Sequence, residues 1–587
     1  MENSLRLIGQ ETEYALYFAP DPGVEHPGNE SLFASIRECI EDLLPTTKTE
    51  RFELQQQFFV GNGGSYNYEA HPFHQECGLI EGGTPECQSA EELLLYQKAS
   101  EEILIQATQI AEEKLRKVGV SGRFRLIKNC RDAQGHLYGA QENYDLQVGR
   151  TWLTNLGVLI SIGFFAVYFV PHMLLLVLFV LCFLVLILTV SIGAFVLWLV
   201  LAIGTLFSPR LKLWHKGYWG RFDRTMERSI DVCTSTLQSI EGFLFIPLQS
   251  VFLFPACMVF RYLFFQPYRQ QALAFLCSRI IFSGAGCLLD DGRFVLAEKA
   301  CGTKRLYRWH VGAEQRPIFD DGNLLKKIML GILGVFSRQG NHLQRLFRPV
   351  QRFQLGMSDS NMAHFAEYLK IGTTRLVLRM AEEGFLQNAP HLRKPIRGLR
   401  KINDDISLQA QVDCTDGIRR SALEIQTWYW EQAQHFVETQ KVSSLEDIEI
   451  VRLWGECLEA LTHHPETLFG KLDWITKHQL INSAGAGLPY EDQKRIDLQY
   501  HELGTGFYAQ LEAEGLTFSM IEPEAIQEAM YVPSSPDKVQ LRAKWIQLGH
   551  EQGMDLTINW VNVYVGSWSE REVVDLNSYR LRTKTKR

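Results

Sequence analysis

Near the N-terminus the chain reads Gly9-Gln10-Glu11-Thr12-Glu13-Tyr14. Successive side chains on a strand point to opposite faces, so an extended backbone here puts Glu11 and Glu13 on the same side. Two such carboxylates suit a hard cation that bridges protein to phosphate oxygens; an acidic, solvated strand face is the other reading of the same three residues. A second cluster follows at Asn62-Gly63-Gly64-Ser65-Tyr66-Asn67-Tyr68-Glu69, and continues at Glu81-Gly82-Gly83-Thr84-Pro85-Glu86-Cys87. By the same alternation Ser65, Asn67 and Glu69 share one strand face. A third comprises Lys128-Asn129-Cys130 and Tyr138-Gly139-Ala140-Gln141-Glu142-Asn143-Tyr144.

The segments around these clusters predict a mixed α and β body. Phe58–Val60, Tyr66–Glu69 and Arg123–Lys128 have the aromatic content or period-two alternation of strands. Ala90–Val118 sets Leu93, Leu94, Ile103, Leu104, Ile110 and Leu115 against Glu91, Glu92, Glu101, Glu112 and Glu113 at helical spacing, which predicts one long amphipathic helix. Beyond Asn361 the pattern is mostly helical (Met362–Glu383, Ser421–Thr439, Leu445–Leu461), and Thr557–Tyr564 reads as a strand.

With 587 residues, several domains are expected. A net charge of -8 without an extended basic face argues against nucleic acid as a partner. None of the twelve cysteines forms a C-x2-C pair, and no signal peptide opens the chain. Reduced thiols and a cytoplasmic enzymatic part are therefore expected.

Thr151–Pro209 contains no Lys, Arg, Asp or Glu, about three times the roughly 20 residues a helix needs to cross a bilayer core. Pro171-His172 divides the run, which predicts a transmembrane helical hairpin. Arg210, Lys212, Lys216, Arg221, Arg224 and Arg228 follow, with Trp214, Tyr218 and Trp219 beside them, placing that side in the cytoplasm. Gly242–Phe265 is a second apolar stretch, read as re-entrant or interfacial, with four crossings as the alternative. The expectation is a multi-pass membrane protein with a cytoplasmic catalytic domain.

Taken in order, the three clusters resemble the Pup ligase (proteasome accessory factor A) and its sister, the deamidase/depupylase of Pup. The likeness continues through Ser278-Arg279, Ser283-Gly284-Ala285-Gly286, Gln315-Arg316-Pro317-Ile318, Ser358-Asp359-Ser360-Asn361-Met362, Leu472-Asp473-Trp474 and Ile558-Asn559-Trp560-Val561. It covers nearly the whole chain except about Asn155–Pro267. The resemblance implies an α+β, glutamine-synthetase-like fold: an antiparallel sheet carrying ATP and Mg2+, helices behind it and a small C-terminal domain. The expected division is 1–152 and 268–503 for the catalytic domain, 153–267 for the membrane insertion and 504–587 for the C-terminal domain.

The resemblance also implies the chemistry. A ligase of this kind phosphorylates the C-terminal glutamate of a Pup-like modifier, and a lysine of a target protein then attacks the acyl phosphate. Glu11 and Glu81 match the metal ligands, with Asn67 and Glu13 beside them; Thr84 and Trp560 match the ATP contacts, with Ser65 and Arg279 counted among them; Glu69 falls where the family places its catalytic base. The chain departs from the family pattern in five ways. Ser65 replaces an Arg, Asn67 a Tyr and Gln141 a His, and Glu69 is one methylene longer than the usual Asp. The Glu69–Glu81 interval is also wider, by a segment containing His71-Pro72-Phe73-His74. No long loop of the deamidase kind precedes Asn62, which favours the ligase over a hydrolase of the same fold; a catalytically degenerate modifier-binding membrane receptor is a second rival.

Overall fold

The computed structural model describes residues 6–48, 57–71, 74–128, 139–148, scattered positions from 152 to 203, and then 265–307, 317–320, 348–439, 444–485, 487–566 and 572–577. Its frame is set by β1 (Ile8–Pro20), in which Ile8, Gln10, Thr12, Tyr14, Leu16 and Phe18 are buried while Gly9, Glu11, Glu13 and Tyr17 face the other way. The buried side packs against α2 (Ala90–Lys117), which in turn packs against α1 (Asn29–Leu43). Between them in sequence run β2 (Thr46–Lys48), β3 (Phe58–Val60), β4 (Ser65–His71) and β5 (His74–Gly83).

Sequence patterning explains α2 well. Ser89 caps it by accepting a hydrogen bond from the Glu92 N–H at 3.0 Å, and Glu91 and Glu92 lie at the positive end of the helix dipole. Leu93, Leu94, Ile103 and Leu104 are fully buried beneath the sheet, each worth about 1.5–3 kcal/mol relative to exposure. The helix stops at Gly119, whose φ of 90° suits a residue without Cβ.

β6 (Gly122–Ile127) pairs with the second half of β1, and β7 (Ala140–Gln147) with the first half. After a small hairpin of β8 (Cys287–Leu288) and β9 (Phe294–Val295), the chain adds β10 (Arg305–Tyr307), β11 (Pro317–Asp320) and β12 (Val350–Ser358). Behind them lies α3 (His364–Glu382), and a second small pair, β13 (Val412–Asp413) and β14 (Arg419–Arg420), stands apart. The C-terminal region supplies α4 (Asp537–Gln552) and then β15 (Leu556–Ile558), β16 (Asn562–Val565) and β17 (Glu572–Asp575). Among the described residues thirteen of these strands form one sheet, ordered β10-β11-β12-β7-β1-β5-β4-β3-β2-β15-β16-β17 with β6 alongside β1. Its pairs are antiparallel except β10 with β11 and β2 with β15, so the α+β expectation is met by a large mixed sheet with helices.

One expectation is corrected. No helix among the described residues is long and apolar enough to cross a membrane, so the inserted transmembrane hairpin and the multi-pass membrane location are not supported. The long helices that are described carry charge at regular intervals, as α3 does with Glu367, Lys370, Arg375 and Arg379, and a membrane core does not accept that pattern. The predicted turn at Pro171-His172, the basic segment 210–228 and the apolar segment 242–264 lie outside the described residues. The predicted strand Thr557–Tyr564 is also revised: it is two strands, β15 and β16, with Trp560 in the turn between them.

Candidate active site

Strand register brings the N-terminal clusters onto one face of the sheet. Glu11 lies opposite Gly83 and Glu13 opposite Glu81 across β1 and β5. Ser65 lies opposite Gly83, Asn67 opposite Glu81 and Glu69 opposite Leu79 across β4 and β5, while Glu11 faces Gln141 on β7. Paired residues project to the same side. One row therefore runs Gln141, Glu11, Gly83, Ser65, the next Glu13, Glu81, Asn67, and Glu69 lies one step further along β4. Rows about 7 Å apart on strands about 4.8 Å apart leave the carboxylates within mutual reach.

Their electrostatics follow from that crowding. Burial, and then the charges of Glu11, Glu69 and Glu13, raise the pKa of Glu81 well above the usual carboxylate range. The Asn67 amide opposes this shift by donating to Glu81 Oε2 at 2.9 Å. Glu11 has a cationic neighbour: Arg352 of β12 donates to Glu11 Oε1 at 2.8 Å and to Asn143 Oδ1 at 2.6 Å. Beside them Gln354 donates to Gln141.

Among the described residues no group of three or more His, Cys, Asp or Glu side chains is arranged to hold a metal ion. The Glu11 carboxylate is turned toward Arg352, and Glu81 is held by a neutral amide. The donor set nonetheless has the chemistry of a hard divalent cation's ligands, because it offers carboxylate and amide oxygens and the charges of Glu11, Glu69 and Glu13 converge on Glu81.

Next to the acidic rows is the Thr84–Trp560 side of the site. The Thr84 hydroxyl accepts from the Gln10 N–H at 3.0 Å, and the Thr84 N–H donates to the Gln10 carbonyl, which carries the chain past β5 alongside β1. Trp560 stands at the tip of the β15–β16 hairpin. Asn559 shapes that turn, its side-chain oxygen accepting from the N–H groups of Val561 (2.9 Å) and Asn562 (2.8 Å). The indole lies on Gly83, where an added Cβ would come within 3.1 Å of the ring, and packs edge-on to Phe59. A cavity of about 430 Å³ opens here, bounded by Gly9–Glu11, Thr84, Arg352, Lys538 and Trp560.

The structure thus gathers Glu11, Glu13, Glu81, Asn67, Glu69, Ser65, Thr84 and Trp560 in one region. Arg279 is not among them. It lies on the opposite side of β7, with Nη2 2.6 Å from Glu142 Oε1 and Nη1 3.0 Å from Glu142 Oε2, and with Ser358 and Thr374 completing its shell. Glu142 alternates with Gln141 and Asn143 along β7, so it points away from the acidic rows. Arg352 and Gln354 were not anticipated; the period-two pattern of Val350–Ser358 was the available signal, but their partners lie more than 200 residues away.

The family model for Pup-ligase protein matches residues 6–564. The chain belongs to the Pup-ligase family. It is 25% identical over 503 residues to a Pup–protein ligase of Acidimicrobium ferrooxidans, a match covering 84% of this chain and 82% of that protein. A Pup–protein ligase of Nocardioides sp. is 31% identical over 237 residues, 39% of this chain and 52% of the relative. Two solved structures share the fold at 19% identity. One is the ligase PafA in complex with the prokaryotic ubiquitin-like protein Pup (TM-score 0.64, covering 97% of this chain and 88% of that one). The other is the Pup ligase PafA in complex with ADP (TM-score 0.58, 94% and 92%). In this Pup-ligase family member the expected kinship therefore holds across the interrupting apolar segment, from the first strand to β16.

Proposed function

We propose that this Pup-ligase family member is an ATP-dependent carboxylate–amine ligase that joins the C-terminal glutamate of a Pup-like modifier to lysines of target proteins. The observation that carries this reading is the adjacency of the acidic rows and the Trp560 cavity on one sheet face. The acidic face suits the reacting groups, and the cavity suits a nucleotide. The ADP complex of the structurally similar PafA supports the same assignment.

In this reading Trp560 stacks on the base, while Thr84 and Ser65 line the nucleotide. Glu11 and Glu81, with Asn67 and Glu13, would hold Mg2+, whose charge would offset that of the phosphate oxygens during transfer. The modifier's carboxylate oxygen attacks the γ-phosphorus and ADP leaves. The lysine amine then attacks the acyl carbon, phosphate departs, and Glu69 accepts the amine proton. Residues 504–587, which include α4 and the Trp560 hairpin, form the part that closes on the nucleotide.

The test is to incubate the purified chain with ATP, Mg2+, a Pup-like protein ending in glutamate and a lysine-bearing acceptor, and to follow isopeptide formation by mass spectrometry. A new modifier–lysine bond with ADP released in step is the expected result. Release of modifier from a preformed conjugate, without any ATP-driven joining, would replace the ligase with its hydrolase sister.

A further inference from the structure

Helix α4 docks on the sheet through one fully buried arginine. Arg542 directs Nη2 to both oxygens of Glu86, at 2.9 and 2.7 Å, and Nη1 to the Gly63 carbonyl at 2.8 Å. Its guanidinium also lies 4.8 Å from the centroid of the Trp560 ring and 5.3 Å from that of Phe59, and Nη2 reaches the Trp560 carbonyl at 3.4 Å. One side chain thus holds both the ring and the backbone of the hairpin tip, while its carboxylate partner belongs to the segment that carries Thr84. Glu86 is also paired with Lys538 at 2.6 Å, and these cations hold its pKa down at about 2 against the upward push of burial. The fit is close: a Cβ on Gly63, whose φ is 90°, would come within 2.4 Å of Val539 Cγ1 of α4.

We propose that Arg542, anchored by Glu86, is the positioning residue that sets Trp560 over the nucleotide cavity, so that the register of α4 against the Thr84 segment determines nucleotide affinity. This rests on the reading of the cavity as the ATP site. Lysine cannot reproduce the arrangement, because the planar guanidinium presents one nitrogen to the Glu86 carboxylate and another to the Gly63 carbonyl while lying against the indole, and a single ammonium has no second nitrogen to divide between them.

The experiment is a double-substitution cycle read by ATP titration and steady-state kinetics on the full chain. Arg542→Lys is expected to raise KM for ATP about tenfold with kcat at saturating ATP changed less than twofold. Trp560→Leu weakens ATP binding by itself, and adding Arg542→Lys to it produces no further loss. If Arg542→Lys does not fold, as judged by its thermal melt, Glu86→Gln takes its place in the same cycle with the same expectation. Losses that multiply in the double variant, or an unchanged KM in the Arg542 or Glu86 variant, would overturn the positioning role alone. An unaltered ATP affinity in Trp560→Leu would overturn the nucleotide assignment of the cavity and the positioning role with it.

Discussion

Replacing Arg279 with Met tests the two faces of β7 against each other. Arg279 is 1% exposed and Glu142 is 0% exposed, so the substitution leaves a carboxylate buried without its counter-charge. Burial pushes the pKa of Glu142 up, and Arg279 is the chief influence bringing it below the ordinary value; with the guanidinium gone only the weaker effects of the Lys370 charge and the Ser358 hydroxyl oppose burial. Breaking one side of a buried pair costs about 3–5 kcal/mol, equivalent to about 10²–10⁴ in the folded-to-unfolded ratio. Replacing both partners with apolar residues, as in Arg279→Met with Glu142→Leu, removes the stranded charge and should recover most of that loss. Urea denaturation followed by circular dichroism gives the stability of the single and double variants, and calorimetric titration gives ATP affinity below the transition. The expected result is a large loss of stability with ATP affinity preserved in the folded protein. A fully stable Arg279→Met protein that no longer binds ATP would refute the placement of Arg279 behind the sheet and return it to the nucleotide.

Three other substitutions probe the site and its support. Glu69→Ala should slow amine transfer by about 10²–10⁴-fold while sparing acyl-phosphate formation, measured as isopeptide yield against ADP release; equal loss of both in a folded protein removes Glu69 from the role of base. Gly83→Ala places a methyl 3.0 Å from Ser65 Oγ and 3.1 Å from the Trp560 ring, and the overpacking should weaken ATP binding about tenfold by titration. For His364, burial and then the charge of Lys98 lower the pKa to about 3, and its Nδ1 accepts from the Met520 N–H. The unfolded chain therefore binds the proton more readily, so this contribution to stability is present above pH 6.5 and is lost as pH falls toward 3. His364→Asn should flatten the acid limb of the stability profile relative to the parent protein by up to about 1.4 kcal/mol per pH unit; parallel profiles would show that His364 takes up its proton alike in the folded and unfolded chain.

Local chemistry made much of this architecture readable. The predicted helix Ala90–Val118 corresponds to Ala90–Lys117, and Ser421–Thr439 to Ala422–Thr439, because apolar spacing and caps lie within a few turns of one another. The shared face of Glu11 with Glu13, and of Ser65 with Asn67 and Glu69, follows from alternation along a single strand. Which strand lies beside which does not. That Glu13 meets Glu81, and Glu11 meets Gly83, depends on β5 inserting between β1 and β4, a pairing between distant segments. Arg352, in range of Glu11 across 341 positions, and Arg542, against Glu86 across 456, were invisible for the same reason. The misplacement of Arg279 has a different cause: motif resemblance conveys that a residue matters without saying which side of a strand it serves. The apolar run likewise satisfied a length rule, whereas the long helices described are built with regularly spaced charges.

The parallel pairing of β15 with β2 sets Thr557 beside Lys48, and the cavity joins Leu7–Glu11 at one end of the chain to Trp560 near the other. During synthesis the first strands must therefore wait for more than five hundred residues to be made before their last neighbours emerge from the ribosome. Contacts of such sequence separation are slow to form, and the N-terminal strands stay unpaired at this border meanwhile. A prematurely terminated product that ends before Trp560 lacks the indole and its hairpin. In the proposed reading, the nucleotide cavity is therefore completed only once the Trp560 hairpin has been made and has paired with the N-terminal strands.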